Sequence, residues 1–215
     1  MKVGPLEIQS FTLERWGDLR PVQALETNQL HLWKIAETAP QGQSSLAAID
    51  PLLEFYCGSN NFKIQRNDNG KPQVIDLNHC LHPVQFNLSH TRDLFMVAFA
   101  KGYHIGIDVE RLRPDRPWKN LAQRFFDPLE MQQIEDVPPE EQESLFYQLW
   151  TLKEAMIKCM GLSIFTGLPR ARFDAQKNPP TLLNPNEEDK ALQFFHSREP
   201  HYFSIALTPF HQDGH

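Results

Sequence analysis

The chain of 215 residues has few cysteines, no long apolar run and no excess of basic charge. Its three cysteines, Cys57, Cys80 and Cys159, are odd in number and lack CxxC spacing, so we expect reduced thiols rather than a disulfide framework or a cysteine metal site. No segment approaches the roughly 18 apolar residues of a membrane span, and the first residues lack the apolar core of a signal peptide. These absences predict a cytoplasmic protein without a membrane partner.

The charge balance argues against a nucleic-acid partner. With 27 acidic and 21 basic residues, the formal net charge is −6, whereas nucleic-acid binding calls for basic faces. A hydrophobic fraction of 40% and 15 phenylalanines indicate a folded core rather than a disordered chain. The length is enough for one domain or two small ones.

The most informative segment is a helix predicted from the run FYQLWTLKEAMIK at positions 146–158. Its apolar residues recur at helical spacing. Glu154 and Lys158 are four residues apart and therefore lie on one side of that helix. A carboxylate and an ammonium ion fixed in this way can hold a metal ion and a phosphate together. The competing interpretation is an ordinary ion pair on a solvated helix face.

A second segment, GIDVE at positions 106–110, ends an apolar stretch and predicts a strand. In a strand, Asp108 and Glu110 point to the same face. Two carboxylates side by side repel each other unless a cation lies between them, and their oxygen atoms suit Mg²⁺. The competing interpretation is an acidic edge that faces solvent.

Two shorter segments lie upstream. FNLSH, at positions 86–90, alternates apolar and polar residues like a strand and ends in Ser89 and His90, which could bond a phosphate or an adenine edge. The alternative is a capping serine and a surface histidine. Gly70-Lys71-Pro72 taken alone predicts a turn with an exposed lysine.

Together, these segments resemble those of the 4′-phosphopantetheinyl transferases of the broad-specificity, surfactin-synthetase type. The resemblance covers about residues 62–168 and rests on the order GKP, FNLSH, GIDVE, RFFDPLE and FYQLWTLKEAMIK. It implies three ligands for Mg²⁺, with Mn²⁺ as a substitute: Asp108, Glu110 and Glu154. It implies contacts to coenzyme A from a second set of residues: Lys71, Pro72, Ser89, His90, Lys153 and Lys158. The catalytic residues that it implies are Asp108, Glu154 and Lys158, and Glu130 of RFFDPLE matches a family acid whose role is less settled.

The activity implied by this resemblance is transfer of the 4′-phosphopantetheine arm of coenzyme A to a serine of an apo acyl or peptidyl carrier protein, dependent on Mg²⁺ and releasing 3′,5′-ADP. The reaction breaks a pyrophosphate bond, and the residue types suit it because Mg²⁺ and a lysine neutralise the charge on the leaving group. The serine must also lose a proton, for which Glu154 is a candidate base. The sequence leaves its ligand and base roles open.

The fold class predicted is α+β, because strands and helices mix without a βαβ rhythm. The resemblance implies two similar α/β subdomains in one chain, a pseudo-dimeric fold: residues 1–100 on the nucleotide side of coenzyme A, and residues 101–215 with the metal and the catalytic helix. A chain that carries both halves is expected to work as a monomer. The predicted strands lie at 30–35, 62–65, up to 87, 94–100, 104–110, 191–197 and 201–208, and the predicted helices at 45–56, 118–135 and 140–160.

One departure from the family pattern keeps an alternative open. No Lys or Arg lies between Lys34 and Lys63, where relatives carry basic residues that help hold the 3′-phosphate of coenzyme A. The alternative is therefore a degenerate transferase that binds coenzyme A or a carrier protein without turnover. A metal-dependent nuclease fits less well, because Glu110 is followed by Arg111 and Leu112 where such enzymes need a lysine.

Overall fold

The computed structural model describes residues 6–20, 23–37, 42–198 and 200–210. The chain mixes strands and helices, which confirms the α+β prediction. The strands are β1 (Glu7–Leu13), β2 (Gln29–Ile35), β3 (Phe62–Arg66), β4 (Pro72–Asp76), β5 (Val84–His90), β6 (Phe95–Lys101), β7 (Tyr103–Glu110), β8 (Phe173–Asp174), β9 (Thr181–Leu182), β10 (Gln193–Ser197) and β11 (Tyr202–Pro209). The helices are α1 (Ser45–Ala48), α2 (Asp50–Cys57), α3 (Trp118–Phe125), α4 (Pro128–Asp136), α5 (Pro139–Met160) and α6 (Ile164–Gly167), with 3₁₀ turns at Trp16–Asp18 and Asp189–Ala191.

The chain divides into two compact units. The first extends to Ile105 and is rejoined by the chain from Pro209 onward, and the second is Gly106–Thr208. Strand β7 contains the boundary, so the chain passes from the first unit to the second within one strand. It stays a prediction that residues 1–100 bind the nucleotide side of coenzyme A and that residues 101–215 carry the metal site and the catalytic helix. The similarity of the two subdomains also stays a prediction.

The first unit is built on a four-stranded sheet with the order β1-β2-β6-β5. β1 runs parallel to β2, and the other neighbours are antiparallel. Trp33 and Ile35 alternate along β2 and share a buried core with Leu52 and Leu53 of α2. That core fixes α2 against one face of the sheet because the alternate residues of a strand point to the same side.

The second unit combines a three-stranded sheet, in the order β10-β11-β7, with helices α3 to α6. Its core is dominated by α5, which has 22 residues, 12 of them buried. Aromatic rings tie α5 to its neighbours: Phe126 stacks on Phe146 with ring centroids 5.4 Å apart, and Phe125 meets Trp150 at 6.0 Å. α5 is therefore the element around which the second unit packs.

The helix predicted over 118–135 is wrong as one element, because the structure has α3 and α4 there with a break at Asp127 and Pro128. A proline cannot continue a helix and forces the residue before it out of the helical region, and Asp127 is extended with ψ 149°. Its side chain accepts a bond from the Leu129 amide at 2.9 Å, and Glu130 accepts one from the Asp127 amide at 2.9 Å. These reciprocal bonds start α4 as a capping box.

Four strands escaped prediction: β1, β4 and the two-residue strands β8 and β9. β1 is a half-exposed strand at the sheet edge that pairs in parallel with β2, and nothing in its local sequence signals that partner. β4 begins at Pro72, which the sequence placed in a turn, and it pairs with β3 around a turn at Gly70, where φ is +84°. The other predicted elements are present, although the helix predicted over 45–56 divides into α1 and α2.

Among the described helices, none combines the length and the apolar character needed to cross a membrane. Residues 38–41, which belong to the stretch without Lys or Arg, lie outside the described residues.

Candidate active site

Strand β7 approaches helix α5 closely at Gly106. A Cβ atom built on Gly106 would lie 2.1 Å from the Ala155 carbonyl oxygen and 2.2 Å from the Cys159 amide nitrogen. Real Cβ contacts are never this short, so only glycine permits the approach. The glycine of GIDVE thus brings the acidic end of β7 against the part of α5 that carries Glu154 and Lys158.

Lys158 pairs with Asp108 across this contact. Its Nζ lies 2.6 Å from Asp108 Oδ1 and also donates a hydrogen bond of 3.2 Å to the Ile107 carbonyl oxygen. The Asp108 side chain is 9% exposed and the Lys158 side chain 30% exposed. Asp108 is therefore not part of an acidic edge that faces solvent, and the ammonium ion of Lys158 keeps some contact with solvent.

Glu110 pairs with a cation that the sequence did not single out. Arg116 Nη1 lies 2.9 Å from Glu110 Oε2. The Arg116 guanidinium also lies over the rings of Phe146, Tyr147 and Trp150 on α5, at 5.7, 5.3 and 5.1 Å from their centroids. Cation–π contacts of this kind fix a guanidinium in place, so Arg116 holds the Glu110 carboxylate from a rigid position.

Glu154 is half-buried and lies among other acidic side chains. Burial raises the pKa of its carboxyl group, the neighbouring Asp108 and Glu110 charges raise it further, and Lys158 and Arg116 oppose them. The three carboxylates that the sequence singled out are thus electrostatic neighbours in the second unit. A local excess of negative charge of this kind favours a bound cation.

The donor set fits a divalent cation of the oxygen-preferring type, such as Mg²⁺. Within the described part of the chain, no three His, Cys, Asp or Glu side chains are arranged to hold a metal ion by themselves. Asp108 and Glu110 each face a basic side chain in this structure. A cation here would therefore need further ligands, which water and phosphate oxygens commonly supply to Mg²⁺.

Lys153, one of the predicted contacts to coenzyme A, is held in a buried ion pair, and its contact to coenzyme A stays a prediction. It is fully buried, its Nζ lies 2.7 Å from Glu130 Oε2, and it also donates to the Ala171 carbonyl oxygen. Glu130 is fully buried too and accepts a bond from the Phe173 amide at 2.8 Å. Because five residues on an α-helix turn the side chain by about 140°, Lys153 and Lys158 point away from each other.

The residues predicted for the nucleotide end of coenzyme A lie in the first unit. Lys71 precedes β4, which begins at Pro72, and its Nζ donates a bond of 3.0 Å to the Ile105 carbonyl oxygen. Ser89 and His90 end β5, where Ser89 is buried and His90 is exposed and stacks on Phe95 at 6.0 Å. Consecutive strand residues point to opposite faces, so Ser89 and His90 lie on opposite sides of β5 at its end, and their shared role at the nucleotide stays a prediction.

The roles of two side chains, Arg116 and Glu130, escaped sequence reasoning. Arg116 lies six residues beyond Glu110 in a loop, and no spacing rule connects the two. Glu130 was noted without a role, and the structure makes it the acceptor of the Asp127 amide, the Phe173 amide and the Lys153 ammonium ion. For the bond from the Asp127 amide, the only local signal was the acid Glu130 three residues after Asp127.

Comparisons with known proteins show which family this chain resembles. Residues 104–208 match the family model described as the 4′-phosphopantetheinyl transferase superfamily. The 4′-phosphopantetheinyl transferase AcpT of Salmonella typhimurium is 32% identical over 180 residues, which cover 76% of this chain and 86% of that protein. The matched segment in this chain includes the strand β7 and the helix α5.

Two further relatives match over shorter segments. A putative 4′-phosphopantetheinyl transferase of Synechocystis sp. is 34% identical over 115 residues, 54% of this chain and 46% of that protein. The 4′-phosphopantetheinyl transferase psf-1 of Bacillus pumilus is 35% identical over 142 residues, 65% of this chain and 58% of that protein. In these two comparisons the chain spans about half the length of the relative.

Proposed function

Because this chain belongs to the 4′-phosphopantetheinyl transferase superfamily, we propose that it transfers the 4′-phosphopantetheine arm of coenzyme A to a serine of an apo acyl or peptidyl carrier protein. The observation that carries the proposal is the pairing of Lys158 with Asp108 beside Glu154, at the contact of β7 with α5. An arrangement of three acids with a partly exposed lysine suits chemistry on a phosphate ester.

Lys158 is the proposed partner of the leaving group. In the reaction, the serine oxygen forms a bond to the phosphorus that carries the pantetheine arm. The bond from that phosphorus to the bridging pyrophosphate oxygen breaks, and 3′,5′-ADP leaves with the electron pair. The ammonium ion of Lys158, 30% exposed, neutralises the charge that grows on the leaving phosphate.

Asp108, Glu110 and Glu154 are the proposed residues that hold Mg²⁺. When bound, the divalent cation supplies neutralising charge to the pyrophosphate oxygens. Lys158 now pairs with Asp108, and Arg116 with Glu110. Binding of the cation would therefore replace part of these ion pairs.

Glu154 is also the proposed acceptor of the serine proton. Its pKa is raised by burial and by the Asp108 charge. A base is most effective when its pKa approaches the working pH, so a raised pKa makes this carboxylate better suited to take a proton. The rigid helix α5 fixes its position.

The first unit supplies the proposed contacts to the nucleotide end of coenzyme A, through Lys71, Pro72, Ser89 and His90. The 3′-phosphate carries more than one negative charge at neutral pH and needs cationic or hydrogen-bonding partners. Since no Lys or Arg lies between Lys34 and Lys63, few residues share that task, and Lys71 takes a larger part of it.

The test is the intact mass of a purified apo acyl carrier protein after incubation with coenzyme A, Mg²⁺ and this protein. We expect a mass gain of one phosphopantetheine on a single serine, and no gain in excess chelator. Asp108→Asn is the matched control, because it keeps the size of the side chain and removes its charge. Transfer by Asp108→Asn at the rate of the unmodified chain would contradict the proposed site.

A second candidate function is binding of coenzyme A or carrier protein without turnover. The absence of basic residues between Lys34 and Lys63 is the observation that favours it. Calorimetry with coenzyme A on the same sample distinguishes this binding function from the transferase function. Binding without any mass gain on several apo carriers, acyl and peptidyl, would favour this candidate over the transferase.

A further inference from the structure

One turn of the second unit presents large apolar side chains to solvent. In α6, Phe165 is 85% exposed and Ile164 is 46% exposed. Single exposed apolar residues are common, whereas neighbouring ones beside a cleft mark an interaction surface. We call these two residues, with Phe125, Arg124 and Arg172 of the same cleft, the α6 patch.

The α6 patch is held in a fixed shape. Ser163 caps the turn, since its Oγ accepts a bond from the Thr166 amide at 3.2 Å. At the other end, a Cβ atom built on Gly167 would lie 2.4 Å from Ile157 Cγ1, so the turn is pressed against α5 where only glycine fits. Phe165 therefore projects from a turn that is anchored at both ends, which lowers the entropy cost of a partner binding to it.

The cleft beside Phe165 combines apolar walls with basic side chains. Its volume is about 470 Å³, and Phe125 and Leu168 are among the residues that line it. Arg124 is exposed, with its guanidinium 5.0 Å from the centroid of the Phe125 ring. The Arg172 side chain is 36% exposed, and its Nη1 lies 3.5 Å from Asp127 Oδ2. The cleft has two arginines and one acid, so its net charge is positive, although the net charge of the chain is −6.

The patch is continuous with the candidate active site through α5. Phe125 contacts Trp150, and Glu154 lies one helical turn beyond Trp150 on the same helix. α6 follows α5 directly after Gly161, which ends α5 in the left-handed conformation with φ 63°. A protein seated on the patch would thus lie beside the end of α5 that carries Glu154 and Lys158.

We propose that the α6 patch is the docking surface for the acceptor protein, and that this partner inserts an apolar side chain beside Phe165 and places carboxylates against Arg124 and Arg172. The inference rests on the proposed function, because the acceptor is the protein that presents the serine. The acceptor is the occupant because its serine must reach Glu154 and Lys158, on the helix that adjoins the patch. Charge complementarity then calls for an acidic surface with an apolar centre on that partner, since the cleft has two arginines and one acid.

The first experiment measures binding of purified apo acyl carrier protein by calorimetry in the absence of coenzyme A, and then kcat and KM for each substrate. Phe165→Ser should weaken carrier binding and raise the carrier KM by about tenfold or more, as expected for an exposed aromatic anchor. The KM for coenzyme A should not change. Phe55→Ser is the matched control, because Phe55 is also exposed, at 44%, but belongs to the first unit.

The second experiment tests the charges. Arg124→Glu should raise the carrier KM and reduce its dependence on salt, because rim charges act chiefly on encounter and are screened by ions. Arg124→Lys should retain most of the binding. A charge reversal at Lys63, an exposed residue of the first unit, is the control and should leave the carrier KM within about twofold.

The outcomes of these experiments separate docking of the carrier protein, transfer of the arm and self-association of this chain. If Phe165→Ser and Phe55→Ser have the same carrier affinity, the docking proposal is overturned while the transferase function stands. If the unmodified chain binds carrier through Phe165 without transferring the arm, docking stands and the proposed function fails. If Phe165→Ser instead converts a dimer of this chain to a monomer and leaves carrier binding unchanged, the patch is a self-association surface and the proposal is wrong.

Discussion

Helix α5 carries two lysines five residues apart whose surroundings differ in almost every respect. Lys153 is buried, with its ammonium ion 2.7 Å from the equally buried Glu130 carboxylate. Lys158 is 30% exposed and lies 2.6 Å from Asp108. Burial lowers the pKa of Lys153, and the Glu130 charge opposes that effect. The ion-pair distances are nearly equal, so distance alone does not separate the two roles.

The difference between the pairs lies in what else each carboxylate binds. Glu130 already accepts bonds from the Asp127 and Phe173 amides, so it joins α4 to β8 and has little capacity for a ligand. Asp108 lies near two further acids, Glu110 and Glu154, whose charges act on each other. A fully satisfied buried pair makes the core rigid, and losing one partner is costly, whereas a pair within an excess of negative charge can exchange its cation.

The largest expected effect is on stability, from Lys153→Met. Removing one partner of a buried pair leaves Glu130 charged and without its counter-ion, which costs about 3–5 kcal/mol. The free energy of unfolding from urea denaturation measures this loss. Lys158→Met should cost less than about 1 kcal/mol, because its pair is partly exposed. Equal losses from the two variants would remove the distinction between the pairs.

A double variant sharpens the same comparison. Lys153→Met with Glu130→Gln should recover part of the stability lost in Lys153→Met, because no uncompensated charge then remains buried. Glutamine keeps one acceptor oxygen, which can serve only one of the two amides, because Asp127 donates to Oε2 and Phe173 to Oε1; the recovery is therefore partial. The urea midpoints of the two variants give the test, and a double variant less stable than Lys153→Met would contradict this account of Glu130.

The next largest effect is on catalysis, from Lys158→Ala. We expect kcat for phosphopantetheine transfer to fall by about 100-fold with a smaller change in the KM for coenzyme A, because the charge acts mainly as the leaving group forms. Steady-state kinetics at saturating carrier protein measure both constants. A raised KM with an unchanged kcat would make Lys158 a plain binding residue.

A smaller effect is expected at a third lysine, Lys71, in the first unit. Lys71→Ala should weaken coenzyme A binding by about tenfold, the loss of one charge-assisted bond. The same variant should bind 3′-dephospho-coenzyme A as tightly as the unmodified chain does. Calorimetry with both ligands checks this, and equal losses for the two would show that Lys71 does not contact the 3′-phosphate.

The smallest effect concerns the buried base His31 of the first unit, where the Glu7 charge opposes the effect of burial on the pKa. Burial lowers the pKa of His31, whose Nδ1 lies 2.8 Å from the Tyr56 hydroxyl. The unfolded chain therefore takes up a proton first, and stability is lost as the pH falls below the ordinary histidine pKa of about 6.5. His31→Gln should lose less stability between pH 7.5 and 5 than the unmodified chain. Thermal unfolding at both pH values gives the comparison.

Much of the second unit could be predicted from sequence because its signals are local. The periodic apolar residues of α5 placed that helix to within one residue at each end, Pro139–Met160 against 140–160. The alternation around GIDVE likewise placed β7. The break between α3 and α4 was missed although Asp127 and Pro128 signal it, because the apolar spacing continues across them. β1 was missed because its partner is distant in sequence.

Helix and strand periodicity are properties of the backbone, so the order of residues places Glu154 and Lys158 on one side of a helix, and Asp108 and Glu110 on one face of a strand. The ion pairs depend on packing instead. Lys158 pairs with Asp108, 50 residues away, Arg116 holds Glu110, and Lys153 is buried against Glu130. The pair of Lys158 with Asp108 requires the close approach at Gly106. That contact brings β7 and α5 together, and the choice of ion pairs follows from packing over long sequence separations, which no local pattern encodes.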